Sequence, residues 1–380
     1  MNIQINRQAL IEKLNHVTKA LPIKTTLPIL TGIKFVADND GLFLTGSDSD
    51  VTIKTHLPLR TENEELVKII TPGGIVIPGK YFFEIIKKLE TDTIEINTFD
   101  GNEVLIRGDK GEYTLKGLPA ENYPQNELSG VLHQFNLPTT KLKTAILQTI
   151  FAVAVNESRP TLTGVNFKFH NNELHCSATD SFRLSKRTLI LEDEKEFDIT
   201  IPGRSLSELG KTLDINDPVT EVAVTNNQIL FKNGQISFQS RLLEGTYPDI
   251  ASFIPVDFEI KITIDYRELF NAVDRVSLMA KEDRANVAKM TVLPDEKKLV
   301  IKSNSSEIGK IEEIIDIKEA EGSKLGIACS SLFLLDSLKA FQGANTDVML
   351  GFNGDMKPFV VLDKTDEANL QLIVPVKLDE

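Results

Sequence analysis

The chain has 380 residues, 41% hydrophobic and 26% charged, with a formal net charge of −13, a composition ordinary for a globular protein of two to four domains. It has no apolar run near the roughly 18 residues of a membrane span, and MNIQINRQAL lacks a basic stretch leading into a long apolar one, so neither a membrane segment nor a signal peptide is expected. Cys176 and Cys329 stand far apart, which excludes a disulfide framework and a zinc site and fits a reducing, cytoplasmic setting.

The first predicted element is an amphipathic helix, with Leu10, Leu14, Val17 and Leu21 on one stripe. Short alternating strands follow, broken by turn signals at Asp40-Gly41 and Asp100-Gly101. Between them lies GIVIPGKY (74–81), which has the spacing of a phosphate-binding loop. The residues argue against that reading. Ile75, Val76 and Ile77 are β-branched and favour an extended strand, Pro78 has no N–H to offer a phosphate, and Tyr81 stands where a metal-binding hydroxyl belongs.

A second amphipathic helix carries Leu142, Ile146, Ile150 and Val153, with Thr139 and Thr140 as candidate N-caps. A third is expected over YRELFNAVDRVSLMA (266–280). These openings belong to a repeat. VIPGKYFFEIIKKL (76–89) returns as TIPGRSLSELGKTL (200–213) and, without Pro-Gly, as IACSSLFLLDSLKAF (327–341). The second copy has Asp198 where the first has Gly74, so the strand-to-helix turn is repeated and the phosphate-loop glycine is not.

Other segments recur in the same order. LPILTGIKF (27–35) matches RPTLTGVNF (159–167) and, loosely, RANVAKMTV (284–292); LFLTGSDSDVTI (42–53) matches LHCSATDSFRLS (174–185) and LVIKSNSSEIGK (299–310); YTLKGLPAENYP (113–124) matches SFQSRLLEGTYP (237–248). The period of about 125 to 135 residues far exceeds that of a solenoid. Three homologous domains are expected, 1–125, 126–255 and 256–380, each α+β with two helices and about eight strands.

Charge separates by element. The six predicted helical segments (7–21, 80–89, 140–153, 204–213, 266–281 and 330–341) hold fourteen Lys or Arg against six Asp or Glu, which leaves −21 for the remainder. Helices gathered on one surface would attract phosphate, since charges farther than about 8–10 Å are screened at physiological salt. There is no Trp, no zinc-finger spacing and no recognition-helix motif, so binding through phosphates would be non-specific and salt-dependent.

In combination, TTLPILTGIKF, GSDSDVTI, ESRPTLTGVNF, ATDSFRLS, IPGRSLSEL, LLEGTYPD and LIVPVKL resemble the bacterial sliding clamp, the DNA polymerase III β subunit, most of all in low-GC Gram-positive bacteria. The resemblance covers the whole chain. It implies a DNA-clamp fold: three-domain protomers closing head to tail into a dimeric ring, with helices lining the hole. It implies a processivity factor that encircles duplex DNA, has no catalytic residues, cofactor or metal, and acts in the nucleoid-bearing cytoplasm. Implied partners are double-stranded DNA, a second copy of itself, the replicative polymerase α subunit, the clamp loader, and repair polymerases and other clamp-motif proteins, with no membrane.

The family's peptide-binding pocket maps onto Leu162, Thr179, Ser181, Arg183, Leu184, Pro248, Phe253, Phe333, Met356, Pro358, Val374, Pro375 and Val376. DNA-facing residues are Arg7, Lys24, Lys80, Lys141, Arg159 and Arg204, and the dimer interface takes Tyr113, Leu278 and Met279, with Lys281 and Glu282 at its polar rim. Two departures bear on the peptide preference. Phe182 stands where the family commonly has His, and Lys377 where Arg is frequent, followed by Leu378-Asp379-Glu380.

Two other classes compete. Asp48-Ser49-Asp50 and Thr179-Asp180-Ser181, with His175 nearby, would have to be ligands or a catalytic cluster in a metal- or carboxylate-dependent enzyme; Asp-Ser pairs at strand ends more often serve turns. The chain could also be a structural β-rich scaffold.

Overall fold

The computed structural model describes residues 1–108, 110–126, 128–156, 158–192, 194–280, 286–305, 309–342, 347–366 and 368–377. Among them are six α-helices: α1 (Arg7–Val17), α2 (Gly79–Lys88), α3 (Thr139–Thr149), α4 (Gly203–Gly210), α5 (Tyr266–Ala280) and α6 (Ser331–Lys339). Each repeat therefore opens with one helix and closes a strand with another.

The chain divides into two compact units, residues 1–140 with 208–242, and residues 141–207 with 243–380. In the first, a nine-stranded sheet begins with Leu118–Pro119, Gly73–Pro78, Gly32–Asp38, Gly41–Ser47 and Val51–Pro58, all from the first repeat. Val51–Pro58 then pairs with Ile236–Arg241, and Gln228–Asn233, Val219–Val224 and His133–Pro138 complete the sheet from the second repeat. A five-stranded sheet in the same unit runs from Val67–Thr71 through Asn2–Asn6, Thr93–Thr98 and Glu103–Arg107 to Glu112–Lys116.

The second unit repeats the construction. Phe197–Pro202, Gly164–His170, Glu173–Thr179 and Arg183–Ile190 of the second repeat continue into Asn369–Ile373, Phe359–Asp363, Asp347–Phe352, Ile260–Asp265 and Glu319–Glu321 of the third. A four-stranded sheet orders Gly309–Asp316, Lys298–Ser305, Val287–Leu293 and Leu325–Ser330. The ladders are antiparallel. The second repeat thus gives four strands to each shared sheet.

The stripes read from the sequence form core over the helices themselves, while Leu21, Ile150 and Val153 are half-buried, with Ile150 and Val153 beyond the end of α3. Leu10, Leu14 and Val17 of α1 and Leu142 and Ile146 of α3 are buried. Asn6 caps α1 by accepting from the Ala9 N–H at 3.0 Å, a cap the sequence reading did not name. The helix ends at Val17 and tightens into a 3₁₀ turn over Thr18–Ala20, so Leu21 lies beyond it.

The Thr139 N-cap is corrected. Thr139 is the first helical residue, its hydroxyl is 2.9 Å from that of Thr220 and accepts from Asn233 Nδ2 at 3.2 Å, and its side chain is fully buried. A hydroxyl so engaged satisfies buried amides across the sheet rather than the helix end.

The repeated Pro-Gly also finds its reason. Gly73–Pro78 pairs along Gly32–Asp38, so the spacer of GIVIPGKY is buried strand. A Cβ on Gly79 would sit 2.4 Å from Leu21 Cδ1 and 3.1 Å from Ile33 Cγ1; one on Gly203 would sit 3.0 Å from the Thr163 carbonyl and 3.1 Å from Val153 Cγ2. Leu21 and Val153 are repeat-equivalent. The glycine lets the end of the opening helix close onto the strand-to-helix turn.

Candidate peptide-binding site and basic helix ends

In the second unit, strands Glu173–Thr179 and Arg183–Ile190 are joined by a turn built on Asp180. Its Oδ1 accepts from the N–H groups of Phe182 (2.9 Å) and Arg183 (3.0 Å), and Ser181 takes φ 78°. Asp48 builds the same turn, accepting from Asp50 (3.0 Å) and Val51 (2.7 Å) around Ser49 at φ 84°. Both Asp-Ser motifs are therefore turn-formers, each with one carboxylate oxygen accepting from its own backbone. No group of three or more His, Cys, Asp or Glu that could hold a metal occurs among the described residues.

The turn aims Arg183 into a clasp between repeats. Its Nε lies 2.9 Å from Asp180 Oδ2 and its Nη1 3.0 Å from Asp336 Oδ2 on α6. The guanidinium centres 4.4 Å from the Phe333 ring and 5.4 Å from the Phe151 ring, and its side chain is only 11% exposed. A planar cation between two aromatic faces gains from both.

Beside the clasp, Leu184, Val360 and Leu372 form a buried aliphatic cluster, with Val374, Ile250, Ile254 and Phe258 packed against it. The carboxyl-terminal segment is tied down by Val374 N–H to the Phe182 carbonyl (2.9 Å) and Val376 N–H to the Ala328 carbonyl (2.8 Å). Thr179 receives its neighbours similarly: its N–H donates to the Tyr247 hydroxyl (3.1 Å) and its own hydroxyl to the Arg183 carbonyl (2.6 Å).

The structure thus brings together Thr179, Arg183, Leu184, Phe333 and Val374 of the predicted pocket, with Ser181 on the turn and Pro375 between two anchored residues. Leu162 is buried in the 3₁₀ turn Pro160–Thr163 and does not join the cluster around Leu184. Phe253 and Met356 are 63% and 56% exposed, Pro248 is exposed and Pro358 half-buried; Phe253 is tied to the edge of the cluster by its N–H, which donates to the Ile250 carbonyl at 3.1 Å. Phe182 is exposed. Leu378, Asp379 and Glu380 lie outside the described residues.

Sequence reasoning missed Phe151, Asp336, Tyr247, Val360 and Leu372. Tyr247 left a signal, since Tyr-Pro recurs at 123–124 and 247–248. Phe151 and Asp336 left none, because their role depends on where one guanidinium ends.

Of the predicted DNA-facing residues, Lys24, Lys80, Lys141, Arg159 and Arg204 are exposed and Arg7 is half-buried, its Nε donating to the Thr91 carbonyl at 2.9 Å. Arg7, Lys80, Lys141 and Arg204 all fall in the first turns of α1 to α4, none of which contains an acidic residue there. That opposes the usual dipole preference for carboxylates at helix starts. Of the interface residues, Leu278 and Tyr113 are exposed and Met279 half-buried; Lys281 and Glu282 lie outside the described residues. No helix among the described residues is long and apolar enough to cross a membrane.

Comparison with known proteins gives this geometry a family. Models of the DNA polymerase III β subunit match in order: the N-terminal domain over residues 1–127, the central domain over 136–249 and the C-terminal domain over 251–377. The chain is 43% identical over 379 residues to the β sliding clamp of Bacillus subtilis, covering 99% of this chain and 100% of that protein. It is 41% identical over 378 residues to that of Staphylococcus aureus, with 99% of each covered. The crystal structure of the DNA polymerase sliding clamp from Bacillus subtilis matches with a TM-score of 0.95 at 42% identity over all of both chains. That of the DNA polymerase III β chain from Streptococcus pneumoniae gives 0.93 at 33% identity, over 99% of this chain and 100% of that one. These relatives share the three-domain α+β clamp fold and are non-catalytic accessory subunits, and with all three domain models matched in order, the chain belongs to the DNA polymerase III β-subunit family of sliding clamps.

Proposed function

We propose that this chain is the processivity clamp of a replicative polymerase, working as a head-to-tail dimeric ring of three-domain protomers (1–125, 126–255, 256–380) with duplex DNA passing through. The observation that carries the DNA reading is the run of four helices that begin with a cation and no carboxylate. A cation in the first turn adds to the positive end of the helix dipole and makes each start attractive to phosphate, while no side-chain array for reading base edges is needed. Lys24 and Arg159 add exposed cations on loops.

Closure of the ring falls to sheet edges. Glu112–Lys116 ends the five-stranded sheet and Gly309–Asp316 the four-stranded one, and an unpaired strand is a template for another chain. Exposed Tyr113, Ile314 and Leu278 supply apolar cover at or near those edges. The aliphatic cluster with its arginine clasp receives a peptide from the polymerase α subunit, the clamp loader, repair polymerases or other clamp-motif proteins, and the protein acts on the nucleoid in the cytoplasm. A buried Leu or Phe of such a peptide gains about 1.5–3 kcal/mol.

The test is loading onto nicked circular DNA by a clamp loader, before and after linearisation. A clamp stays on the circle and runs off the linear form. Reversing charge at both Lys80 and Arg204 should reduce loading and flatten the logarithmic salt dependence by about two slope units. Retention on linear DNA with free ends, or an unchanged salt response in the double reversal, would sink the proposal.

A further inference from the structure

The two shared sheets are spliced alike. Where the second repeat meets the third, Leu184 faces Leu372, which faces Val360 on the next strand. Where the first meets the second, Thr52 faces Gln239, which faces Leu230. The preceding turns agree, with Ser49 and Ser181 both in the left-handed region after an aspartate that accepts two backbone N–H groups. Tyr123 and Tyr247 are both buried, and three residues beyond them stand Asn126 and Ile250. Thr52, Gln239, Leu230 and Asn126 are thus positional counterparts of Leu184, Leu372, Val360 and Ile250.

The counterparts differ in chemistry. One splice carries an aliphatic cluster; the other carries a half-open cavity of about 350 Å³ lined by those four residues together with Leu128, Ser237 and Lys54. Asn126 Nδ2 donates to Thr52 Oγ1 at 2.9 Å, and Gln239 Nε2 donates to Gln228 Oε1 at 3.0 Å. Among the described residues no partner engages the side-chain carbonyl of either amide, so both can accept from a ligand. Leu128 and Leu230 provide an apolar wall, and the exposed Lys54 is the cation of the lining.

We infer that this cavity is a second peptide-binding site, taking an extended polar segment that presents a Gln or Asn side chain next to a carboxylate. The primary amide donates to the Asn126 and Gln239 carbonyls, its aliphatic stem lies on Leu128 and Leu230, and the carboxylate pairs with Lys54. A nucleobase fits less well, because no aromatic side chain lines the cavity to stack against it.

Methyl NMR on the full-length protein, labelled at Leu, Val and Thr, reads both splices at once. The probes are the peptides acetyl-Gly-Gln-Asp-Gly-amide and acetyl-Gly-Leu-Phe-Gly-amide. The first should shift the methyls of Thr52, Leu128 and Leu230, and Lys54→Ala or Asn126→Leu should weaken it about tenfold. Lys54 is exposed, so its variant keeps the fold, which the peptide-free spectrum verifies. The inference is overturned if those methyls stay still, if the Leu-Phe peptide moves them equally, or if neither variant weakens binding. If the Leu-Phe peptide fails to shift Leu184, Leu372 and Val374, the peptide pocket proposed above falls while this site stands.

Discussion

Asp336 should hold the second and third repeats together through Arg183, and Asp336→Ala measures how strongly. The carboxylate meets Nη1 at 3.0 Å with the arginine side chain 11% exposed and its own 33% exposed. A hydrogen bond to a charged group in such a setting contributes about 1.5–3 kcal/mol. The same substitution removes the Asp336–Lys339 ion pair, which is exposed and adds about 0–1 kcal/mol. Arg183→Ala goes further: it leaves Asp180 without its cation and Asp336 with only the exposed Lys339, and it opens the space between the Phe151 and Phe333 rings, at a cost of about 3–5 kcal/mol. The double variant should therefore be less destabilised than the two single effects added, with a coupling of about 1–2 kcal/mol. Urea unfolding followed by fluorescence of a probe on α6 gives the four corners of the cycle. If Asp336→Ala lies within about 0.5 kcal/mol of the parent and the effects simply add, Arg183 is not a clasp.

Further outcomes are expected. Leu278→Ala with Met279→Ala should weaken dimerisation, seen as a monomer fraction at low concentration in sedimentation that the parent lacks. Val374→Asp, at a half-buried position packed against the aliphatic cluster, should raise the dissociation constant of a labelled Gln-Leu-rich clamp peptide at least about tenfold, or about 1.4 kcal/mol. Gly79→Ala should destabilise the first unit by about 1–3 kcal/mol through overpacking against Leu21, and Mg²⁺-dependent ATPase should be undetectable in parent and variant alike. Burial, reinforced by Lys19 and Lys13 and opposed by Asp214, holds the His16 imidazole down at about 4. A depressed pKa stabilises the fold above the unfolded value near 6.5 and loses that contribution as pH falls towards 4. His16→Gln, which copies the equivalent Gln148, should flatten stability against pH across that window in thermal melts.

The helices and the three-fold repeat were legible because burial every third or fourth residue and a repeated Pro-Gly leave periodic marks. Leu10, Leu14, Leu142 and Ile146 are core for that reason. The Thr139 cap was misread because a threonine before a helix looks alike whether its hydroxyl faces the helix N–H groups or Thr220 and Asn233 on neighbouring strands. The candidate site was half legible. Leu184 and Val374 carry the motif, but the partners that complete the cluster and the clasp come from strands and helices far away in sequence, and only the register of the ladder pairs Leu184 with Leu372.

The spliced sheets have a mechanical consequence. At each splice five residue pairs bridge one repeat to the next, so a force along those strands shears the rungs together rather than unzipping them singly. Such a joint is stiff, and a flexible tether between repeats would not be. Load entering one repeat passes to its neighbour through backbone hydrogen bonds, and elastic give is left to edges that have no rung across them within the protomer. Strand Glu112–Lys116 and strand Gly309–Asp316 are two such edges, and under tension a ring built from this chain should part there while its repeats stay joined.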